Sequence, residues 1–200
     1  MQATYFSLKQ IQQEGPETYA LSKWLGVPVF PIGFLKHKNG KSKLSPADYF
    51  VMQLNLQELA DFPTQLPKQG MLYFFVDVDS LQPKVLFADD LDCDWGFVDD
   101  INDGFAPEFG NTQGYQVVFD GQLQEGHFVA GDINPDIDLE ADLDTTGYVT
   151  LLEIDKLCLP HDNMLKFGNF AGDGRYVFLI KQSHLQKHDF SKVVLVEKED

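Results

Sequence analysis

One stretch constrains this chain more than any other, because it occurs twice. Residues 53–79 read QLNLQELADFPTQLPKQGMLYFFVDVD. Near the C-terminus, LLEIDKL (Leu151 to Leu157) answers the opening of that stretch, and GDGRYVFLI (Gly172 to Ile180) answers its end. Gln53 and Asn55 align with Glu153 and Asp155 at an offset of 100, while Gly70 and Phe74 align with Gly174 and Phe178 at an offset of 104. A strand-turn-strand pattern that recurs predicts two related halves, each made from one supersecondary unit. The repeats, about residues 49–87 and 149–196, are expected within a single domain spanning 1–200.

The first copy sets the pattern. Tyr49 to Leu56, YFVMQLNL, reads as a buried strand, and Leu56 to Phe62 as a helical turn stopped by Pro63 and Pro67. Gly70 opens MLYFFVDV, whose unbroken apolar run predicts a strand covered on both faces. Tyr73, Phe74 and Phe75 are then core. Shorter strands are expected at Val85 to Phe87, at Tyr115 to Phe119, and in KVVLVEK, where Lys192 to Val196 answers Lys84 to Phe87. Upstream, Tyr5, Leu8 and Ile11 recur at three-residue spacing, which predicts a short helix ended by Gly15-Pro16. Glu17 to Trp24 predicts a second, with Ala20, Leu21 and Trp24 on one side. Pro28 and Pro31 make Ser22 to Phe34 an extended segment crossing the surface. The fold class read from this order is α+β: internally duplicated strand-rich units forming a mixed or antiparallel β core, with short N-terminal helices.

With 200 residues, 44% of them hydrophobic, the chain has material for a core and needs no staples. Cys93 and Cys158 stand in no metal-type or redox-type spacing and are expected as free thiols. The N-terminus has no apolar targeting segment, and no stretch approaches the ~20 apolar residues of a membrane span. A cytoplasmic location follows as the expectation.

The net charge of −16 is concentrated in one place. Between Lys84 and Lys156 there are 18 Asp or Glu and no Lys or Arg. Lys36 to Lys43 holds the one basic run. Such a chain repels nucleic acid, whose binding requires neutralised phosphates, and avoids anionic membranes.

Familiar catalytic motifs fail on inspection. Gly172-Asp173-Gly174 is followed by an apolar strand and Arg175, so it reads as a turn into a strand and not as a phosphate loop. His184 and His188 are four apart, but Leu185 stands where a zinc protease needs Glu, and a surface turn is the expected role. DINPDIDLEADLD, counted from Asp132, puts Ile137 and Leu143 where a calcium loop requires Gly and Glu. No cofactor is called for, and calcium in a looser acidic-loop site is the one metal left to test. Gln53, Asn55, Glu153 and Asp155 are candidates for a cleft between the repeats, with the bonding of neighbouring backbone as their structural role.

Several segments together resemble the YwqG-like family, a bacterial domain of unknown function: SKWLGVPVFP, YFVMQLNLQEL, LPKQGMLYFF, LLEID, and GDGRYVFLI followed by DFSKV. The resemblance implies an α+β fold with internal duplication in the cytoplasm, and it implies no reaction. Leu25-Gly26 stands where that family usually has Gly-Gly, and Glu153 where it usually has Gln.

The acidic middle third carries the functional expectation. Asp92, Asp94, Asp99, Asp100 and Asp103 are interleaved with Trp95, Phe97 and Phe105. Carboxylates steer a basic partner and aromatic rings anchor it. The expected function is therefore a non-enzymatic cytoplasmic interaction protein that docks a basic protein, of immunity type in one concrete form. The alternative is an enzyme or small-molecule binder using the cleft between the repeats. A deep cleft with raised carboxylate pKa values separates the second reading from the first.

Overall fold

The computed structural model describes residues 4–13, 15–36, 39, 41–91, 94–97, 114–120, 127–131, 146–155 and 174–199. In the first half of the chain the strands are β1 (Thr4–Gln10), β2 (Lys23–Trp24), β3 (Val29–Pro31), β4 (Asp48–Asn55), β5 (Met71–Asp77) and β6 (Pro83–Ala88). Then follow β7 (Trp95–Phe97), β8 (Tyr115–Phe119), β9 (His127–Gly131), β10 (Tyr148–Asp155) and β11 (Gly174–Lys181). The short helix α1 (Gln182–Leu185) precedes the last strand, β12 (Val194–Glu199). Ten strands form one sheet in the order β12-β11-β10-β9-β1-β8-β2-β4-β5-β6, and β3 and β7 form a second. Every pairing is antiparallel.

This corrects the α+β expectation, because the described chain is mostly β and α1 is its one α-helix. Tyr5, Leu8 and Ile11 do not mark a helix. Residues 4–10 are a strand with β8 on one side and β9 on the other. In a strand that three-residue spacing puts Tyr5 and Leu8 on opposite faces; the residues that are buried are Thr4 and Phe6, at a spacing of two, and the sheet supplies the partners. The second helix expected, from Glu17 to Trp24, reduces to a 3-10 turn at Pro16–Thr18 and the two-residue strand β2. β2 is inserted between β4 and β8, so its backbone bonds are long-range ones that local propensity does not report. The proline-bearing segment, expected to be extended and to cross the surface, is extended only in part, with β3 at Val29–Pro31 followed by a turn over 32–35, and it runs into the interior, where Val29 and Phe30 are fully enclosed.

The two copies share one register. Tyr49↔Val76, Gln53↔Tyr73 and Asn55↔Met71 in β4–β5 are answered by Val149↔Ile180, Glu153↔Val177 and Asp155↔Arg175 in β10–β11. Both hairpins carry an irregularity at the same place, between Phe50 and Met52 and between Thr150 and Leu152. A bulge shifts the alternation by one residue. It is why Tyr49, Val51, Met52 and Leu54 all reach one core, as do Val149, Leu151, Leu152 and Ile154. On the inner side of each hairpin, β2 flanks β4 and β9 flanks β10. β8 then flanks β2, and β1, from the start of the chain, flanks β9.

That shared core joins the halves. Phe74 of β5 and Phe178 of β11 meet edge to face, with ring centroids 5.4 Å apart, although six strands separate them in the sheet order. A second cluster, Phe30, Leu35, Leu44, Phe50, Met71, Tyr73 and Phe75, covers the other face of β4 and β5. Met71 to Val76 are therefore all buried, as an apolar run on a doubly covered strand requires. No described helix is long and apolar enough to cross a membrane.

Candidate functional site

β4 and β10 end in polar pairs that the duplication makes equivalent, and the two pairs do different things. Gln53 is fully buried. Its Nε2 donates to the carbonyls of Tyr19 and Leu21, both at 2.9 Å, and its Oε1 accepts from Val29 N at 3.1 Å. Asn55 Nδ2 donates to Ala20 O at 2.7 Å, and its Oδ1 accepts from Gln57 N at 3.0 Å, capping the 3-10 turn Leu56–Leu59. Ser22 is held from both sides, its Oγ accepting from Asn55 N at 2.8 Å and its N donating to Glu58 Oε1 at 3.2 Å. These amides hold the loop that feeds β2, a segment with few ladder bonds of its own.

In the second half the same positions are ionic. Glu153 is fully buried, and its Oε1 accepts from Arg175 Nη1 at 2.6 Å. Arg175 Nη2 lies 3.8 Å from Asp155 Oδ2. His127 Nδ1 accepts from Asp155 N at 3.1 Å, so that nitrogen carries no proton. The imidazole stacks on Phe6 at 5.2 Å and on Trp24 at 6.4 Å. The sequence assigns His127 and Arg175 no role at these positions, because their role comes from strands that pair across the sheet. Four strands separate β4 from β10 in the sheet order. Of the four candidates for the cleft, Asn55 alone lines a described pocket.

That pocket has a volume of about 470 Å³. Asn55, Gln57, Gln69 and Gly70 form one part of its lining, and Asp89, Asp90, Leu91 and Trp95 another. Asp89 and Asp90 are exposed, and Trp95 is half-buried, packed against the second cluster. Gly70 is required where β5 begins: its φ is +108°, and a Cβ there would lie 2.7 Å from Ala88 O. The pocket thus combines carboxylates, amides and an indole, a lining suited to a cation.

The proposed docking residues are placed only in part. Asp94 is exposed, and its carbonyl accepts from Ile32 N at 2.9 Å. Trp95 and Phe97 lie in β7, which pairs with β3. Asp92, Asp99, Asp100, Asp103 and Phe105 lie outside the described residues, as do Cys93, Cys158 and most of both acidic loops. Among the described residues no group of three or more His, Cys, Asp or Glu could hold a metal. His184 Nδ1 is 3.3 Å from Asp189 Oδ2, while His188 packs on Phe87 and Phe190.

Residues 22–129 match the model of a family described as a domain of unknown function, DUF1963. The chain belongs to this family. The match begins at Ser22, ends within β9, and includes all of the pocket lining except Ala20. No curated protein matches the chain.

Proposed function

We propose that this DUF1963 protein is a non-enzymatic binding protein whose acidic side docks a basic protein partner. The lining of the 470 Å³ pocket carries the reading: Asp89 and Asp90 stand with Trp95 and three side-chain amides. A lysine or arginine side chain laid against the indole gains cation–π and ionic attraction together, and the amide oxygens of Gln57 and Gln69 accept its remaining N–H groups. The pocket borders the segment where 18 acids occur without a Lys or Arg, so a basic partner is also steered there over long range. In the finer form of this reading the chain is a YwqG-like protein of the bacterial cytoplasm. Its partner is then a basic toxin neutralised in the manner of an immunity protein. The enzymatic reading draws no support from the contacts of Gln53 and Asn55, whose amides are taken up by backbone.

The test compares the parent with an Asp89→Asn/Asp90→Asn variant, using an oligolysine peptide as probe and affinity capture from the native extract. The parent is expected to bind with an affinity that falls with salt, and the variant to bind about tenfold more weakly at ~0.05 M salt. Equal binding by both proteins at every salt concentration overturns the proposal.

A further inference from the structure

A second pocket, of about 590 Å³, lies against β6 and the turn at residues 188–191. Its chemistry is opposite to that of the first. β6 ends the sheet order, so among the described residues one side of its backbone has no neighbouring strand. Asp77 N donates to Gln82 O at the end of the β5–β6 ladder. Alternation then turns the peptide groups of Lys84, Leu86 and Ala88 toward β5, and those of Val85 and Phe87 outward. Pro83, which has no N–H to give, occupies an outward position as well.

Aromatic rings supply the walls. Phe87 and Phe190 pack at 5.3 Å, and His188 stacks on Phe190 at 6.5 Å. On another side, Lys43 Nζ sits 3.9 Å from the centre of the Phe34 ring. The charged groups of this pocket differ in what they already hold. Lys84 is paired with Asp48. Asp189 accepts from Ser191 Oγ at 2.6 Å and faces His184. Lys43 has no carboxylate partner among the described residues, and burial lowers its pKa. Lys43 and Lys84 are the half-buried lysines among the described residues, and of the two it is Lys84 that has a carboxylate, while Lys43 faces a ring. Proline and lysine commonly blunt an edge strand, and Pro83 and Lys84 fill that role, but it does not account for Lys43.

We propose that this pocket binds an apolar carboxylate. The carboxylate meets Lys43 Nζ, the outward N–H groups of Val85 and Phe87 offer further donors, and the hydrocarbon body lies on Phe34, Phe87 and Phe190. Two sources share this chemistry, a small aromatic acid and the free terminus of an apolar peptide. The probes are therefore 2-naphthoate and an acetylated apolar tripeptide, each compared by calorimetry with its neutral amide. Saturable one-site binding of at least one acid is expected, about tenfold tighter than its amide. The same loss is expected on Lys43→Met, with binding kept in Lys43→Arg and in Lys9→Met, an exposed control. Binding of the naphthoate alone assigns a small acid, and binding of the tripeptide alone assigns a chain terminus. The proposal is overturned if neither acid saturates, if the amides bind as tightly as the acids, or if Lys43→Met binds like the parent. The amide comparison needs no variant, so it decides even if a substitution fails to fold.

Discussion

Single residues in this chain show how one backbone frame takes up different chemistry. Gln53 and Asn55 each donate and accept, so a neutral amide pair satisfies a loop of bare peptide groups. Glu153 and Asp155 only accept, and at those positions the chain supplies Arg175. Leu25 is a second case. It holds φ +52°, next to Gly26 at +74°, where the resembled family usually has Gly-Gly. A left-handed leucine costs about 1–2 kcal/mol, which the burial of its side chain in the main core offsets. Glu58 gives a prediction at this scale. Burial raises its pKa, and the hydrogen bonds from Ser22 only partly oppose the shift. The folded state therefore holds this proton more tightly than the unfolded state. That contribution is fully present below the unfolded pKa and is lost as pH rises through the folded value. Glu58→Gln keeps an acceptor for Ser22 N and removes the charge. Urea midpoints should show the variant gaining on the parent between ~pH 4 and ~pH 7, by roughly a few tenths of a kcal/mol at this half-exposed site. A difference that does not change with pH rules this out.

At the scale of elements, the strand hairpin is specified by its bulge and its opening glycine as much as by its apolar residues. Without the bulge, Val51 and Met52 would face opposite sides of β4. With it, both join the main core, and Phe50 is left for the second cluster. Gly70 sets where β5 starts, because its O accepts from Leu56 N and its α-carbon faces Phe87 and Ala88. Gly70→Ala should destabilise the protein by about 2–3 kcal/mol, combining a left-handed backbone penalty with a contact of 2.7 Å to a backbone oxygen that the ladder holds fixed. Thermal and urea unfolding measure this. A loss below about 0.5 kcal/mol would show that the turn relaxes freely.

Over the whole molecule, stability depends on the two halves sharing one core. Phe74 and Phe178 are equivalent positions of the repeat, and each is the other's neighbour across the core. Either Phe→Ala substitution alone should cost about 3–5 kcal/mol. A double-mutant cycle should give a coupling of about 1 kcal/mol between them, since each truncation removes the same edge-to-face contact. A coupling of zero, with both single losses intact, would mean that the halves are packed independently.

The repeat, the strand at Tyr49 to Leu56, the doubly buried run after Gly70 and the structural use of Gln53 were all legible in the residues. Each depends on local pattern: alternation, punctuation by Gly and Pro, or polar residues set in an apolar strand. What the sequence did not contain was pairing between distant segments. Residues 4–10 become a strand because β8 and β9 lie on either side, and Lys23–Trp24 because β4 and β8 do. Both pockets likewise collect side chains from separate parts of the chain, Asn55 with Asp90 and Lys43 with Phe190. Local preferences of a fraction of a kcal/mol per residue fix the hairpins, while sheet order and pockets come from long-range ladders and burial that outweigh those preferences.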